Sequence, residues 1–420
     1  MSRILRVVFI IALLGGVLPA SPAAADPVLP PSLCKEYPQG SSESYLMCIP
    51  PNWAAPFDVI VFAHGYVRPG PPVTQYYEQL SLSDGQFLPN LVNGLGYAFI
   101  STSYSKNGLA VKEGLADTLK LIQAFKGKYP QTGRFYLIGA SEGGLITTLA
   151  AEKQTPIAGG LALCGPIGNF HSQINYWGDF RVLYDYFFPA AQYPAIQIPN
   201  SPVDINEKVV WPNWDKLSQA IGAAVTTVTA STRQLLTSSR APIDPANPAT
   251  AAATTVGILS YNVFATNEGQ LELGGQPFEN KYKWYTGSDN DWALNRSVQR
   301  FTADSTALAE INRSYQTSGK LKIPLVTMHT TGDPIVPYWH ETLYNAKALL
   351  GGSVLKHLNI PIDRYGHCTF TAQEALAGFA ILRFMVTGHL SANLPQGLTP
   401  AAQQEYQVLI GKFHDLASRP

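Results

Sequence analysis

The stretch "LIGASEGG", Leu137–Gly144, decides how this chain reads. Ahead of it, "RFYLIGA" (134–140) has the length and apolar character of a buried strand, and behind it "EGGLITTLAAEK" (142–153) has helical spacing. Ser141 stands between them in G-A-S-E-G, a match to G-x-S-x-G. In a strand–turn–helix context the glycines let the backbone turn tightly and the helix pass close to neighbouring strands. The serine oxygen is then exposed at the carboxyl end of the sheet. The five residues alone also fit an ordinary glycine-rich connection, so the choice rests on the remaining chain.

A serine hydroxyl is a poor nucleophile at neutral pH; it needs a base within hydrogen-bond reach and a carboxylate to orient that base. Both belong at later strand ends, acid first. Asp333 in "HTTGDPIVP" directly follows a strand-like run, and His367 in "RYGHC" lies between a last strand and a closing helix. Among the other histidines, His64 in "AHGY" ends an earlier strand. His329 sits inside one, as a satisfied core histidine would. His340, His357, His389 and His414 fall on helices, a strand or the tail. His171 opens a long insertion and is a candidate to line a pocket. Asp363 is the rival acid, while Asp289 and Asp291 lie in the insertion.

Charge gathering on a tetrahedral intermediate needs an oxyanion hole. The expected donors are the backbone N–H groups of Glu142 and of Tyr66, the latter after Gly65 in "VIVFAHGY". A carboxylate beside that hole would oppose the developing charge. The Glu142 side chain therefore reads either as a solvated or helix-N-terminal acid, favourable for the helix dipole, or as a group that recognises a substrate amine.

Strand-like runs at 57–65, 97–104, 134–140 and 159–165 alternate in their later part with helical patterns at 108–130 and 142–153. That order predicts parallel strands joined by right-handed crossovers. The pattern stops after 168 and resumes at 322–337, with a helix at 338–352, a last strand at 354–361, a loop at 364–370 and a helix at 371–388. The expected organisation is a leader at 1–25, a first part of the core at 26–168, a cap at 169–320, and the second part of the core with a C-terminal helix at 321–420. An insertion of roughly 150 residues far exceeds an ordinary connection. Its aromatics, from Phe170 through Tyr176 and Trp177 to Phe188, are expected to form the cap core, with some lining a substrate pocket.

The first residues carry Arg3 and Arg6, then "VVFIIALLGGVL", then Ala23-Ala24-Ala25. Basic, apolar and small-residue regions in that order predict a secretory signal peptide cleaved near Ala25. The apolar run is shorter than the ~20 residues that span a bilayer, so no stable membrane anchor is expected and the protein should be secreted or periplasmic. Loss of 1–25 leaves 27 basic and 29 acidic side chains, a formal charge of −2. That gives no basic footprint for nucleic acid. Four cysteines in an exported chain predict two disulfides. Three pairings exist, and the short loop favours Cys34–Cys48. No cysteine pair has zinc-ligand spacing, so no metal site is expected.

Together "VFAHGY", "GASEGG", "HTTGDPIVP" and "GHC" resemble the α/β-hydrolase superfamily, closest to its secreted esterase and prolyl-oligopeptidase-like branches. The resemblance covers roughly 57–168 and 320–388. It implies a mostly parallel eight-stranded sheet flanked by helices, a large, mainly helical cap inserted after the sixth strand, and a cofactor-free triad of Ser141, His367 and Asp333. It also motivates Cys164–Cys368, which would brace the histidine loop. The region before Phe57 is short for a complete set of early strands. The activity implied is hydrolysis of a small or polymeric carboxylic ester through an acyl-enzyme. A prolyl-oligopeptidase-like peptidase or aminopeptidase is the alternative, and a non-catalytic binding protein on the same fold a remote one.

Overall fold

The structure, a computed structural model, describes residues 33–39, 43–199, 201–204 and 210–389, with isolated positions at 404, 407, 408 and 411. The expected leader and His414 lie outside the described residues. One sheet holds β1 (Cys34–Gln39), β2 (Glu43–Cys48), β3 (Val59–Ala63), β4 (Ala98–Thr102), β5 (Phe135–Ala140), β6 (Gly159–Leu163), β7 (Leu325–Gly332) and β8 (His357–Tyr365). Their order across the sheet is β1-β2-β4-β3-β5-β6-β7-β8. β1 and β2 pair antiparallel, as do β2 and β4, and every other neighbour is parallel.

Two readings of the sequence need correction. The short segment before Phe57 does complete the early strands, because two six-residue strands fold as a hairpin, with Cys34 directly opposite Cys48 and disulfide-bonded to it. The last strand begins later and runs further than 354–361. Residues Val354–Lys356 form a helical turn, and pairing with β7 continues past an irregularity at Thr330/Gly332 as far as Tyr365.

The helices of the first half are α1 (Leu88–Gly94), α2 (Val111–Lys128) and α3 (Glu142–Glu152). Between β6 and β7 come α4 (Phe170–Phe187), α5 (Trp214–Thr227), α6 (Thr229–Ser239), α7 (Thr250–Tyr261), α8 (Asn267–Leu273), α9 (Asp291–Ser297) and α10 (Ser305–Glu310). α11 (Trp339–Leu350) and α12 (Ala372–Thr387) close the core. A π turn, Asn262–Thr266, joins α7 to α8 without a break. Among the described residues no helix is long and apolar enough to cross a membrane.

Side chains alternate across a strand, and this divides the interior in two. Val59, Val61, Ala63, Leu137 and Ala162 face a core shared with α2, α3 and the inserted helices. Ile60, Phe62, Ile138, Leu161 and Leu163 face a second, smaller core closed by Leu88 and Val92 of α1 and by Phe379, Ile381 and Leu382 of α12. Both faces are buried, which is why these strands read as unbroken apolar runs.

Candidate active site

Ser141 lies between β5 and α3 with φ 56° and ψ −116°, a strained conformation for a residue with a side chain. The flanking glycines make it attainable. A Cβ at Gly139 would collide with the Gly143 carbonyl, and one at Gly143 with the carbonyls of Ala63 and His64. The helix therefore passes against two strand ends, as the pattern requires.

His367 Nε2 is 2.9 Å from Ser141 Oγ, and His367 Nδ1 is 2.6 Å from Asp333 Oδ2. The structure thus brings together three residues that are 34 to 226 positions apart. Asp333 is fully buried. Its Oδ1 accepts the backbone N–H groups of Ile335 (2.8 Å) and Val336 (3.0 Å). Burial alone would raise its carboxyl, but the charge of His367 and the hydrogen bonds of His329 and His367 bring it down to about 2. Asp363 is engaged elsewhere; its carboxylate accepts from Thr331 Oγ1 at 3.0 Å.

His329 is more than a satisfied core histidine. It is wholly buried, 3.4 Å from Asp333 and 3.2 Å from Glu341. Burial would depress its pKa, but hydrogen bonds to the two carboxylates, with their charges, raise it to about 10. The imidazolium so held helps keep Asp333 ionised and lies against Oδ2, the same carboxylate oxygen that faces His367.

Two aromatics of α4 bond the loop after Asp333. Tyr176 Oη donates to Pro334 O (2.8 Å), Trp177 Nε1 to Ile335 O (3.1 Å) and Gln173 Nε2 to Ile335 O (2.9 Å). α4 thereby clamps the loop that carries Asp333. Tyr261, unremarked in the sequence, stacks on Trp177 at 5.0 Å and reaches the mouth of the site directly before the π turn. His171 does not reach it; its Nε2 is 3.1 Å from Pro277 O. Asp289 and Asp291 pair with Arg233 and with Ser288.

The Gly65–Tyr66 loop is held against the serine. A Cβ at Gly65 would stand 3.3 Å from that of Ser141. Gln79 fixes the loop, accepting from Gly65 N at 2.7 Å and donating to Tyr66 O at 3.3 Å. His64 lies beneath, stacked on Tyr104 at 3.8 Å, and burial pushes its pKa down to about 4. Glu142 is the first residue of α3, where a backbone N–H has no intrahelical acceptor.

The Glu142 side chain is helix-N-terminal, as one reading had it, but otherwise departs from the readings made of it. It is buried rather than solvated, and it does not line the cavity at Ser141. Its Oε1 accepts from Ala110 N at 2.8 Å, and its Oε2 is buried without a protein partner. Burial, against the opposing Ala110 bond, raises its pKa to about 8. Below that pH the group is neutral, so the carboxyl beside the serine does not oppose an oxyanion.

Cys164, at the end of β6, is disulfide-bonded to Cys368, with Cα atoms 5.5 Å apart. The bond fixes the residue after His367 to the sheet edge beside Ser141. A cavity of about 270 Å³ opens at Ser141, His367 and Tyr66 and is otherwise walled almost entirely by aliphatic and aromatic side chains.

Strand order, the turn after β5 and the loops after β7 and β8 define an α/β-hydrolase fold. Among solved structures, the chain is similar to acylaminoacyl peptidase of Pyrococcus horikoshii, at 11% identity and TM-score 0.41, over 89% of this chain and 43% of that one. It thus spans less than half the length of that peptidase. It is similar also to an esterase of Pyrococcus furiosus, at 11% identity and TM-score 0.42, over 85% of this chain and 91% of that one. Feruloyl esterase B from Aspergillus oryzae is similar at 15% identity and TM-score 0.44, over 85% and 81% of the two chains. At such identities and TM-scores the likeness says nothing of activity. No family model and no curated protein matches the sequence.

Proposed function

We propose that the protein is an exported serine hydrolase of carboxylic esters. The observation that carries this reading is the unbroken relay from Ser141 Oγ through His367 to Asp333, opening on an apolar cavity. Ser141 Oγ attacks the ester carbonyl carbon while His367 Nε2 takes its proton, and Asp333 holds the imidazolium that forms. The N–H groups of Tyr66 and Glu142 receive the oxyanion. The C–O bond to the alcohol breaks, and His367 returns the proton to the departing oxygen. Water, deprotonated by His367, then cleaves the acyl–serine bond and releases the acid.

An ester is favoured over a peptide by what surrounds the serine. Among the described residues the cavity wall includes no carboxylate to bind a substrate amine, and Glu142, beside the serine, is turned to Ala110. Residues 169–320 serve as a cap, with Tyr261 at the mouth. Two disulfides among the described residues fit an oxidising compartment.

The test is labelling with a fluorophosphonate and a panel of p-nitrophenyl esters against aminoacyl anilides, with Ser141→Ala as control. Labelling confined to Ser141 and turnover of esters are expected. Faster turnover of anilides would make the protein a peptidase, and absence of labelling would leave it a binding protein.

A further inference from the structure

The cavity at Ser141 has a direction. Its sheet wall is Ile60 and Phe62 of β3, Ile138 and Ala140 of β5, and Leu161 and Leu163 of β6. Each pair is two residues apart, so all six point to one face. Ile60 lies three residues before the end of β3, so the cavity runs back along the strands, away from the serine and into the second core. Its other wall includes Leu88, Leu91, Val92 and Leu95, spaced as one face of a helix. α1 carries the chain from the carboxyl end of β3 back to the start of β4. Leu88 therefore stands on the serine side and Leu95 at the far end.

Two measures of its length agree. Three strand residues at ~3.3 Å each give about 10 Å, and seven helical steps from Leu88 to Leu95 at ~1.5 Å each give about the same. An extended chain advances roughly 1.2 Å per bond, since three backbone bonds span about 3.5 Å, so the cavity takes about eight bonds. Its volume of about 270 Å³ holds about nine groups the size of a water or a methylene, at roughly 30 Å³ each. Beyond Ser141, His367, Gln79, Ser81, Tyr66, Tyr261 and the Cys368 sulfur, the walls offer hydrocarbon. A peptide threaded there would leave its N–H and C=O groups unpaired.

We propose that this channel binds the unbranched acyl chain of the ester, of about eight to ten carbons, with the carbonyl at Ser141 and the chain end against Leu95. The proposal rests on the serine-esterase reading above and names the substrate class of that same site. The alcohol leaves on the solvent side, under the inserted helices, so selection falls on the acid half of the ester.

The experiment reads kcat/KM across p-nitrophenyl esters from acetate to palmitate, in the wild type and in Leu88→Trp and Leu95→Trp, with fluorophosphonate labelling of Ser141 measured on each. The wild type is expected to rise to a maximum at C8–C10 and fall beyond it. Leu95→Trp should lower the C10/C4 ratio at least tenfold, and Leu88→Trp should move the cut-off to still shorter chains. Acetate esters of long alcohols should show no such length dependence. A labelled Ser141 with a flat acyl profile, one cut-off common to both variants, or a dependence that follows the alcohol would overturn the channel while leaving the serine hydrolase standing. As a second measurement, independent of turnover and of the tryptophan variants folding, decanoate should raise the Tm of the Ser141→Ala protein and acetate should not. Equal shifts overturn the channel; absent labelling with a decanoate-specific shift overturns the esterase reading instead.

Discussion

Replacing Glu142 by Gln removes a proton-binding group at the shoulder of the nucleophile and keeps its shape. The amide oxygen can still accept from Ala110 N–H, which now meets Oε1 at 2.8 Å. The carboxyl titrates at 4.5 when unfolded and at about 8 when folded. Between those values the unfolded chain has lost the proton and the folded protein retains it, so stability is fully present below pH 4.5 and declines as pH rises towards 8. At pH 7 the interval is 2.5 units, and at 1.36 kcal/mol per unit the loss is about 3 kcal/mol. Above pH 9 it levels off near about 5 kcal/mol. Glutamine has no such loss. Denaturant unfolding of both proteins should give matching stabilities at pH 4 and a gap in favour of Glu142→Gln that widens to several kcal/mol at pH 9. Activity should diverge in the same window, because ionised Glu142 would stand beside the N–H proposed to receive the oxyanion. Wild-type kcat/KM should fall above pH 8, and the variant's should not fall there. A stability gap equal at pH 4 and pH 9, or alkaline limbs that superimpose, would refute the neutral buried carboxyl.

Ser141→Gly and Ser141→Ala should both abolish turnover. Glycine should be the more stable by about 1–3 kcal/mol, because it relieves the strain at φ 56°; equal melting temperatures would show that the turn is unstrained. Asp333→Asn should lower kcat by about 10³–10⁴ with Ser141 and His367 intact, measured on the preferred ester. His329→Asn should destabilise most below pH 6.5, and the deficit should shrink as pH rises through about 10, where wild-type His329 itself loses its proton; melting curves from pH 5 to 10.5 check this. Reducing Cys164–Cys368, which closes a separation of 204 residues, should cost roughly 5 kcal/mol on the chain-entropy account. It should also lower kcat, since the cysteine adjoins His367. A Tm loss with unchanged kcat would mean that the bond does not position the base.

The meeting of Ser141, His367 and Asp333 was legible because each of the three sits where local pattern is strong. Ser141 follows an apolar run and precedes a helix, and Asp333 and His367 each close a strand in the order the fold requires. What was not legible is what holds them. Gln79 and His64 shape the Gly65 loop through tertiary contacts that leave no periodicity. Tyr261 reaches the mouth only because α4 presents Trp177 to it. The aromatics of α4 announce a packed helix, but no pattern says that their polar atoms seek the carbonyls of Pro334 and Ile335. The cavity was hidden for a related reason. Leu88, Leu91, Val92 and Leu95 have the spacing of any helix that faces a core, and a sequence does not distinguish a filled core from a hollow one. Glu142 was misread because its neighbour Ser141 is exposed to the site, whereas helical rotation sends the next side chain inward to Ala110.

The cavity is bounded by the same side chains that close the second core, which sets stability and specificity against each other. A larger residue at Ile138, Leu161 or Leu376 would fill space and strengthen the fold while shortening the acid it accepts. Under the acyl-channel proposal, selection for robustness alone would thus erode the preference for acids of about eight to ten carbons. A bound acyl chain does the reverse: it completes the interior and stabilises the folded state by mass action. The protein should resist unfolding best while it is working, and be most vulnerable when substrate has run out.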